Sequence, residues 1–154
     1  MRRFFVISYL IVLAMSVGAI LVLGVITAPV VFGSDALITE TISRYSQGVI
    51  MTEIFSRANY WLIFLFSFVF LYEAYDFKMF RRDKIVLISA VVVGFTSVMF
   101  VFYYSPDIIA MQLAHQTQTE VFENVHKASE LDYKMLLVGL LVLLIRRFTQ
   151  LVRK

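Results

Sequence analysis

Apolar side chains fill four long runs of this chain, at about 4–32, 60–77, 85–104 and 131–152. Runs of this length predict transmembrane helices, because a lone extended segment cannot satisfy its backbone in lipid. The alternating phenylalanines from Phe64 to Phe70 mimic a strand, yet the same argument makes them helical. The first run has length to spare: its residues, at ~1.5 Å each, reach roughly 43 Å against a hydrocarbon core of ~30 Å. It must tilt, protrude or break, and Pro29 offers a break near one end. In the fourth run the unbroken apolar stretch ends at Ile145, so Arg146 and Arg147 are expected to snorkel while the helix continues to about Val152.

The polar intervals carry patterns of their own. Ser34 can cap a helix from Asp35 to about Arg57, with Ile38, Ile42, Tyr45, Val49 and Ile50 on one side. Ser105, Pro106 and Asp107 read as a second helix start. No glycine or proline follows before Asp132, and Met111, Ala114, Val121, Val125 and Ala128 keep heptad-like spacing. Two amphipathic helices, at about 35–57 and 106–130, are therefore expected outside the membrane. Each half of the chain then reads as a span, a turn, an amphipathic helix, a second span and an arginine pair (Arg81-Arg82, Arg146-Arg147). Both halves share one orientation, unlike the inverted repeats of many transporters.

Charge gives the chain a direction. Arg2 and Arg3, then Lys78, Arg81, Arg82 and Lys84, then Arg146, Arg147, Arg153 and Lys154 fall on one side of the spans. Asp35, Glu40, Glu53, Asp107, Glu120, Glu123, Glu130 and Asp132 fall on the other. The positive-inside rule puts both termini in the cytoplasm and the acidic helices outside. With 60% apolar and 16% charged residues, the chain is too oily for a soluble domain. The expectation is one all-α domain over 1–154, a polytopic protein of the cell's inner membrane with four transmembrane helices. The net charge of +3 is then an orientation device and no sign of nucleic acid. The absence of cysteine excludes disulfides, thiolate metal sites and thiol nucleophiles. The first run is too long for the ~7–15 residue core of a cleaved signal.

Small residues spaced by four, at Ala14 and Gly18, Gly24 and Ala28, and Ala90 and Gly94, predict close approach of spans one and three at the centre. Candidate chemistry is sparse. His115 and His126 fall on nearly one helix face but about 16 Å apart, too far for one ion. Glu123-x-x-His126 has the spacing of carboxylate-bridged metal sites, though a full site needs two such motifs. A simpler mononuclear site would be built on Glu123 and His126, or separately on His115, completed by Glu40 and Glu53 of the other outer helix, and would suit zinc, iron or manganese. A haem ligated by His115 or His126 is the other cofactor option. The blander reading is a polar helix in which His126 meets Glu130 or water. Glu73 is the deepest charged residue, with Lys84, Arg81 or Arg146 as expected ion-pair partners. No nucleophile elbow or phosphate-binding glycine loop is present.

Some positions carry a family resemblance. Leu23–Phe32 reads LGVITAPVVF, ending span one with Ala-Pro-x-x-Phe; Gly48-Val49-Ile50 and Phe55 follow, and later Phe122-x-x-x-His126-x-x-Ser129. Together these resemble a family of small four-span membrane proteins of unknown function related to transmembrane protein 205. That resemblance implies a four-helix membrane protein with no established reaction. Its matching positions would be Pro29, Phe32, Gly48, His126 and Ser129, with Pro29, Phe32, His126 and Ser129 presented to a ligand. The family also looks distantly like bacterial copper-resistance membrane proteins and the four-span protoporphyrinogen oxidase. Span one here has no histidine, so their chemistry is not carried over. The expected function is a non-catalytic membrane subunit, homo-oligomeric or accessory to a partner, with an outer face that binds a partner or a ligand. The alternatives are a metal- or haem-binding protein centred on His126, and a small solute or ion conductor.

Overall fold

The computed structural model describes residues 2–33, 42–79 and 83–153. All regular structure among them is helical, and four rods are long and apolar enough to cross a membrane: Phe4–Phe32, Arg44–Lys78, Lys84–Leu113 and Glu120–Val152. These are spans one to four below.

The rods are longer than the apolar runs because the expected outer helices are not separate elements. Span two begins at Arg44, capped by Ser43, whose Oγ accepts from the Ser46 N–H at 3.1 Å, and runs unbroken to Lys78. The 35–57 helix and the 60–77 span are therefore one rod from residue 44 onward; the Ser34 cap lies outside the described residues. Nothing between Arg57 and Tyr60 breaks a helix, since no glycine or proline occurs there.

The 106–130 helix is corrected differently. Ser105-Pro106-Asp107 does not start a helix; span three continues through it to Leu113. The chain then stops in a Schellman turn. His115 takes the left-handed conformation (φ 55°), the His115 N–H bonds the Gln112 carbonyl at 3.0 Å, and the Gln116 N–H bonds the Met111 carbonyl at 2.9 Å. Thr119 restarts the helix, its Oγ1 accepting from the Phe122 N–H at 3.2 Å, with Glu120 and Glu123 favourably placed in the first turn. Histidine is among the few non-glycine residues that enter the left-handed region with any frequency, and at position 115 it supplied a stop that no glycine announced.

Both prolines sit inside rods. Span one continues past Pro29, because Val22–Thr27 is π-helical and the α-helix resumes at Ala28. Span three does the same around Pro106, with Phe100–Tyr104 π-helical just before it. The expected break at Pro29 is thus a widened turn. A proline has no N–H and crowds the carbonyl four residues back; an extra residue per turn relieves the crowding.

Spans three and four make the central contact, and span one packs on span four and span two. Leu136, Leu140 and Leu143 of span four are fully buried against Val86 and Val93 of span three, Tyr9 and Leu13 of span one, and Leu62, Leu65 and Val69 of span two. Spans one and three do not pack on each other among the described residues, contrary to the small-residue pattern. Ala14 and Gly18 face outward, and nothing lies within 4 Å of a Cβ built on Gly18. The glycine that permits close approach is Gly139, where a Cβ would lie 3.1 Å from Val92 Cγ1 and from Val93 Cγ2. Gly139→Leu should lower the thermal stability in detergent by about 1–3 kcal/mol through overpacking. Gly18→Ile should leave the melting curve where it is, and a matching loss there would place Gly18 in a packed interface.

Candidate functional site

The two ends of the bundle carry different chemistry. At the basic end, span four ends in Arg146 and Arg147. Snorkelling was expected of both, yet Arg147 is only 8% exposed and turns inward. Its Nε donates to Glu73 Oε1 at 3.0 Å, its Nη2 to Glu73 Oε2, and its Nη1 to Asp76 Oδ2 at 2.6 Å. Tyr9 of span one donates its hydroxyl to Glu73 Oε1 at 2.7 Å and stacks on Tyr72, ring centroids 3.8 Å apart. The Arg147 guanidinium sits over that same Tyr72 ring, 5.5 Å from its centroid. Glu73 is thus an ion-paired acid, as expected, but with Arg147 instead of Lys84 or Arg146; Arg81 lies outside the described residues. The planar guanidinium bridges two carboxylates one turn apart on span two, which a lysine could not do. Spans one, two and four are tied together there.

Arg146 meets Asp83, which caps span three, at 2.8 Å, and Gln150 donates to the same Asp83 Oδ2 at 2.9 Å. Burial raises the Asp83 carboxyl. The hydrogen bonds from Arg146, the Val86 amide and Gln150, with the Arg146 charge, outweigh it and hold the group below its ordinary range.

At the opposite end all four rods line a chamber of about 750 Å³. Its walls run along span four from Phe122 to Leu137, roughly 22 Å of helix, and are mostly apolar. Pro29 and Phe32 of span one, Gly48 of span two, and His126 and Ser129 of span four all line it. Four of these were expected as ligand-binding positions, and the structure puts them around one space. The π-turn of span one supplies a further polar group. The Ala28 N–H bonds the Leu23 carbonyl, and the residue five after Gly24 is Pro29, which has no N–H. The Gly24 carbonyl, on the chamber wall, is therefore left without a helical donor.

His126 stacks on Phe122 (centroids 5.9 Å, 6° between planes), and its Nε2 lies 3.4 Å from Glu130. Ser129 donates back to the His126 carbonyl at 2.7 Å. Lys134 follows one turn on, 3.4 Å from Glu130. At the chamber mouth Arg44 lies over the Phe32 ring, 5.9 Å from its centroid.

The expected metal ligands are not brought together. Glu123 points away from the chamber and pairs with Lys127 at 2.5 Å. His115 packs on Tyr45 and ends a helix. Glu53 pairs with Arg57, and Glu40 lies outside the described residues. Among the described residues no group of three His, Asp or Glu side chains converges as a metal site.

Residues 11–117 match the model of a domain of unknown function (DUF4149). The chain belongs to that family. The match runs from Ile11 within span one to the turn before span four, so it takes in the Pro29, Phe32 and Gly48 side of the chamber. No curated protein and no solved structure matches this chain. The likeness to transmembrane protein 205 thus rests on the quoted motifs alone.

Sequence reasoning missed Arg147 as the organiser of the basic end, and Gly24. The signal for Arg147 was available: Glu73 and Asp76 lie three apart on an apolar rod, and such a pair needs a shared cation. Arg147→Met should cost about 3–5 kcal/mol, because two buried carboxylates lose their shared guanidinium. Arg146→Met, at a more exposed pair, should cost far less; chemical denaturation in detergent ranks the two, and equal losses would remove Arg147 from its central role. Asp83 gives a pH signature. Its folded value is lowered, so its contribution is full above the unfolded value near ~3.9 and is lost as pH falls through the folded one. Asp83→Asn should therefore flatten the acid limb of the stability profile and leave the alkaline limb unchanged.

Proposed function

We propose that this protein is a multi-pass protein of the inner (cytoplasmic) membrane that holds an apolar or amphipathic small molecule in its chamber and has no catalysis of its own. The observation that carries the reading is the convergence of Pro29, Phe32, Gly48, His126 and Ser129, from three rods, on one largely apolar space. A chamber of this size falls within the range that takes one small ligand. The charge distribution puts the arginine-rich end in the cytoplasm, with both termini, and the chamber at the outer face. If Arg147 marks the inner boundary, a core of ~30 Å ends about twenty residues earlier on span four, near Lys127. Most of the chamber then lies in the outer leaflet, with its mouth at the headgroups. Such a site favours a molecule with an apolar body held below the interface and a small polar group that reaches His126, the Gly24 carbonyl or Arg44.

The test is the molecule that travels with the protein. Protein purified in mild detergent should release a defined lipophile on solvent extraction, seen by mass spectrometry. Gly24→Phe fills the chamber from its wall, since a Cβ there meets only Tyr133 at 3.8 Å. It should reduce the released molecule at least about tenfold, the equivalent of ~1.4 kcal/mol. Gly18→Phe, on the lipid-facing side, should release the wild-type amount. Equal release from both variants, each folded by circular dichroism, would take the ligand out of the chamber and end this reading.

A further inference from the structure

A second polar site lies inside the bundle, behind the chamber wall, and is built around Asp132. This residue is 7% exposed, on the buried stripe of span four with Ser129 and Leu136. The other interior acids each meet an arginine: Glu73 and Asp76 meet Arg147, and Asp83 meets Arg146. Asp132 meets none among the described residues, and its Oδ2 has no hydrogen-bond donor. An isolated buried carboxylate is among the most expensive groups a bundle can contain, so something must balance it.

What surrounds Asp132 follows from register. Gly139 packs on Val92 and Val93. Spans three and four run antiparallel, so seven residues and about 10 Å outward Asp132 comes level with residues 99–100. Tyr104, at the end of that π-turn, is close enough to interact with the Asp132 charge. On the other flank Gly94 packs on Phe66 of span two, and seven residues outward from Phe66 is Asn59, level with Val101. The Asn59 amide nitrogen donates to Ser105 Oγ at 2.8 Å, while its Oδ1, also buried, has no partner. Ser97, 1% exposed and one turn inward on the same face of span three, has an Oγ without a partner.

The π-turn adds a fourth oxygen. The Ser105 N–H, the usual donor to the Val101 carbonyl, bonds Phe100 instead. The next possible donor is position 106, which is proline. The Val101 carbonyl, at a buried position, is left without its helical donor.

We propose that this layer binds one alkali cation, with Asp132 as the charge-balancing ligand and Asn59 Oδ1, Ser97 Oγ and the Val101 carbonyl as neutral oxygen ligands. Oxygen donors alone select hard cations. A single carboxylate balances one positive charge and leaves a divalent ion over-charged. A proton on Asp132 would satisfy one oxygen and leave Asn59 Oδ1 and the Val101 carbonyl orphaned; a cation engages all of them. Freed backbone carbonyls next to a broken or widened helix are the usual means of holding sodium inside a membrane bundle.

The experiment follows the melting temperature of the purified full chain as sodium chloride replaces choline chloride at constant ionic strength and pH. The expected result is a saturating rise with sodium. Asp132→Asn should abolish the sodium response while keeping the helical circular dichroism signal. Ser97→Ala, a milder change, should raise the sodium midpoint roughly tenfold, as the loss of one ligand contact would, and keeps the test decisive if Asp132→Asn fails to fold. Melting that ignores the cation's identity, or stabilisation by acid alone without a sodium response, overturns the proposal. So does an unchanged sodium midpoint in Ser97→Ala.

Discussion

A proline inside a membrane helix removes an N–H where no water can replace it, and the fold is arranged around two such losses. Pro29 and Pro106 each follow a π-helical turn, which shifts the donors by one residue and strands one carbonyl, at Gly24 and at Val101. A stranded carbonyl in hydrocarbon is costly, so it must face a ligand, a solvated cavity or a polar side chain. Gly24 is on the chamber wall; Val101 is level with Asp132 and Asn59. The same defect in the two halves of the chain thus creates both polar features of the chamber half of the bundle. The two halves share this one device: each places a proline near the chamber end of its first rod.

The opposite end is built on the reverse principle, with its described buried charges compensated. Arg147 spans Glu73 and Asp76, stacks over Tyr72, and is joined through Glu73 to Tyr9. A buried ion pair adds little net stability against an apolar replacement, but removing one member is expensive. Its value here is registry, since it fixes the axial positions of spans one, two and four. Leu136, Leu140 and Leu143 could slide by a turn against other aliphatic side chains; a guanidinium held by two carboxylates cannot. The chamber lies at the other end, which has no such clamp among the described residues; there spans two and three meet through Asn59 and Ser105 and through Tyr45 and the Gln112 carbonyl.

The four rods were legible because apolar length is a strong signal, and the convergence of Pro29, Phe32, Gly48, His126 and Ser129 was legible as a set of motif positions, though not as a cavity. Three things were not legible. Helix ends depend on backbone conformations that several residues can adopt, so the left-handed His115 stop was invisible while glycine and proline were the only punctuation considered. Helix pairing was misread because small-residue spacing also occurs on exposed helix faces; Ala14 and Gly18 have the spacing and are exposed, whereas the solitary Gly139 makes the tight contact. The Glu73 partner was misassigned because Arg146 and Arg147 are equivalent on paper. They lie 100° apart around the helix, and only the rotation of span four decides which one faces the core.

That rotation is set by the leucine stripe, and its consequence extends the length of the rod. Arg147, Leu143, Leu140, Leu136, Asp132 and Ser129 are spaced by three or four and form one buried line. The line carries an ion-paired arginine at one end and, toward the other, an acid that meets no side-chain cation among the described residues, with only aliphatic side chains and Gly139 between them. Turning span four to bury Asp132 less would withdraw Arg147 from Glu73 and Asp76, so the well-paired end holds the unpaired acid in the interior. An isolated acid could otherwise reach the surface through a small helix rotation. Its burial here is enforced from about 22 Å away along the same helix, fifteen residues at ~1.5 Å.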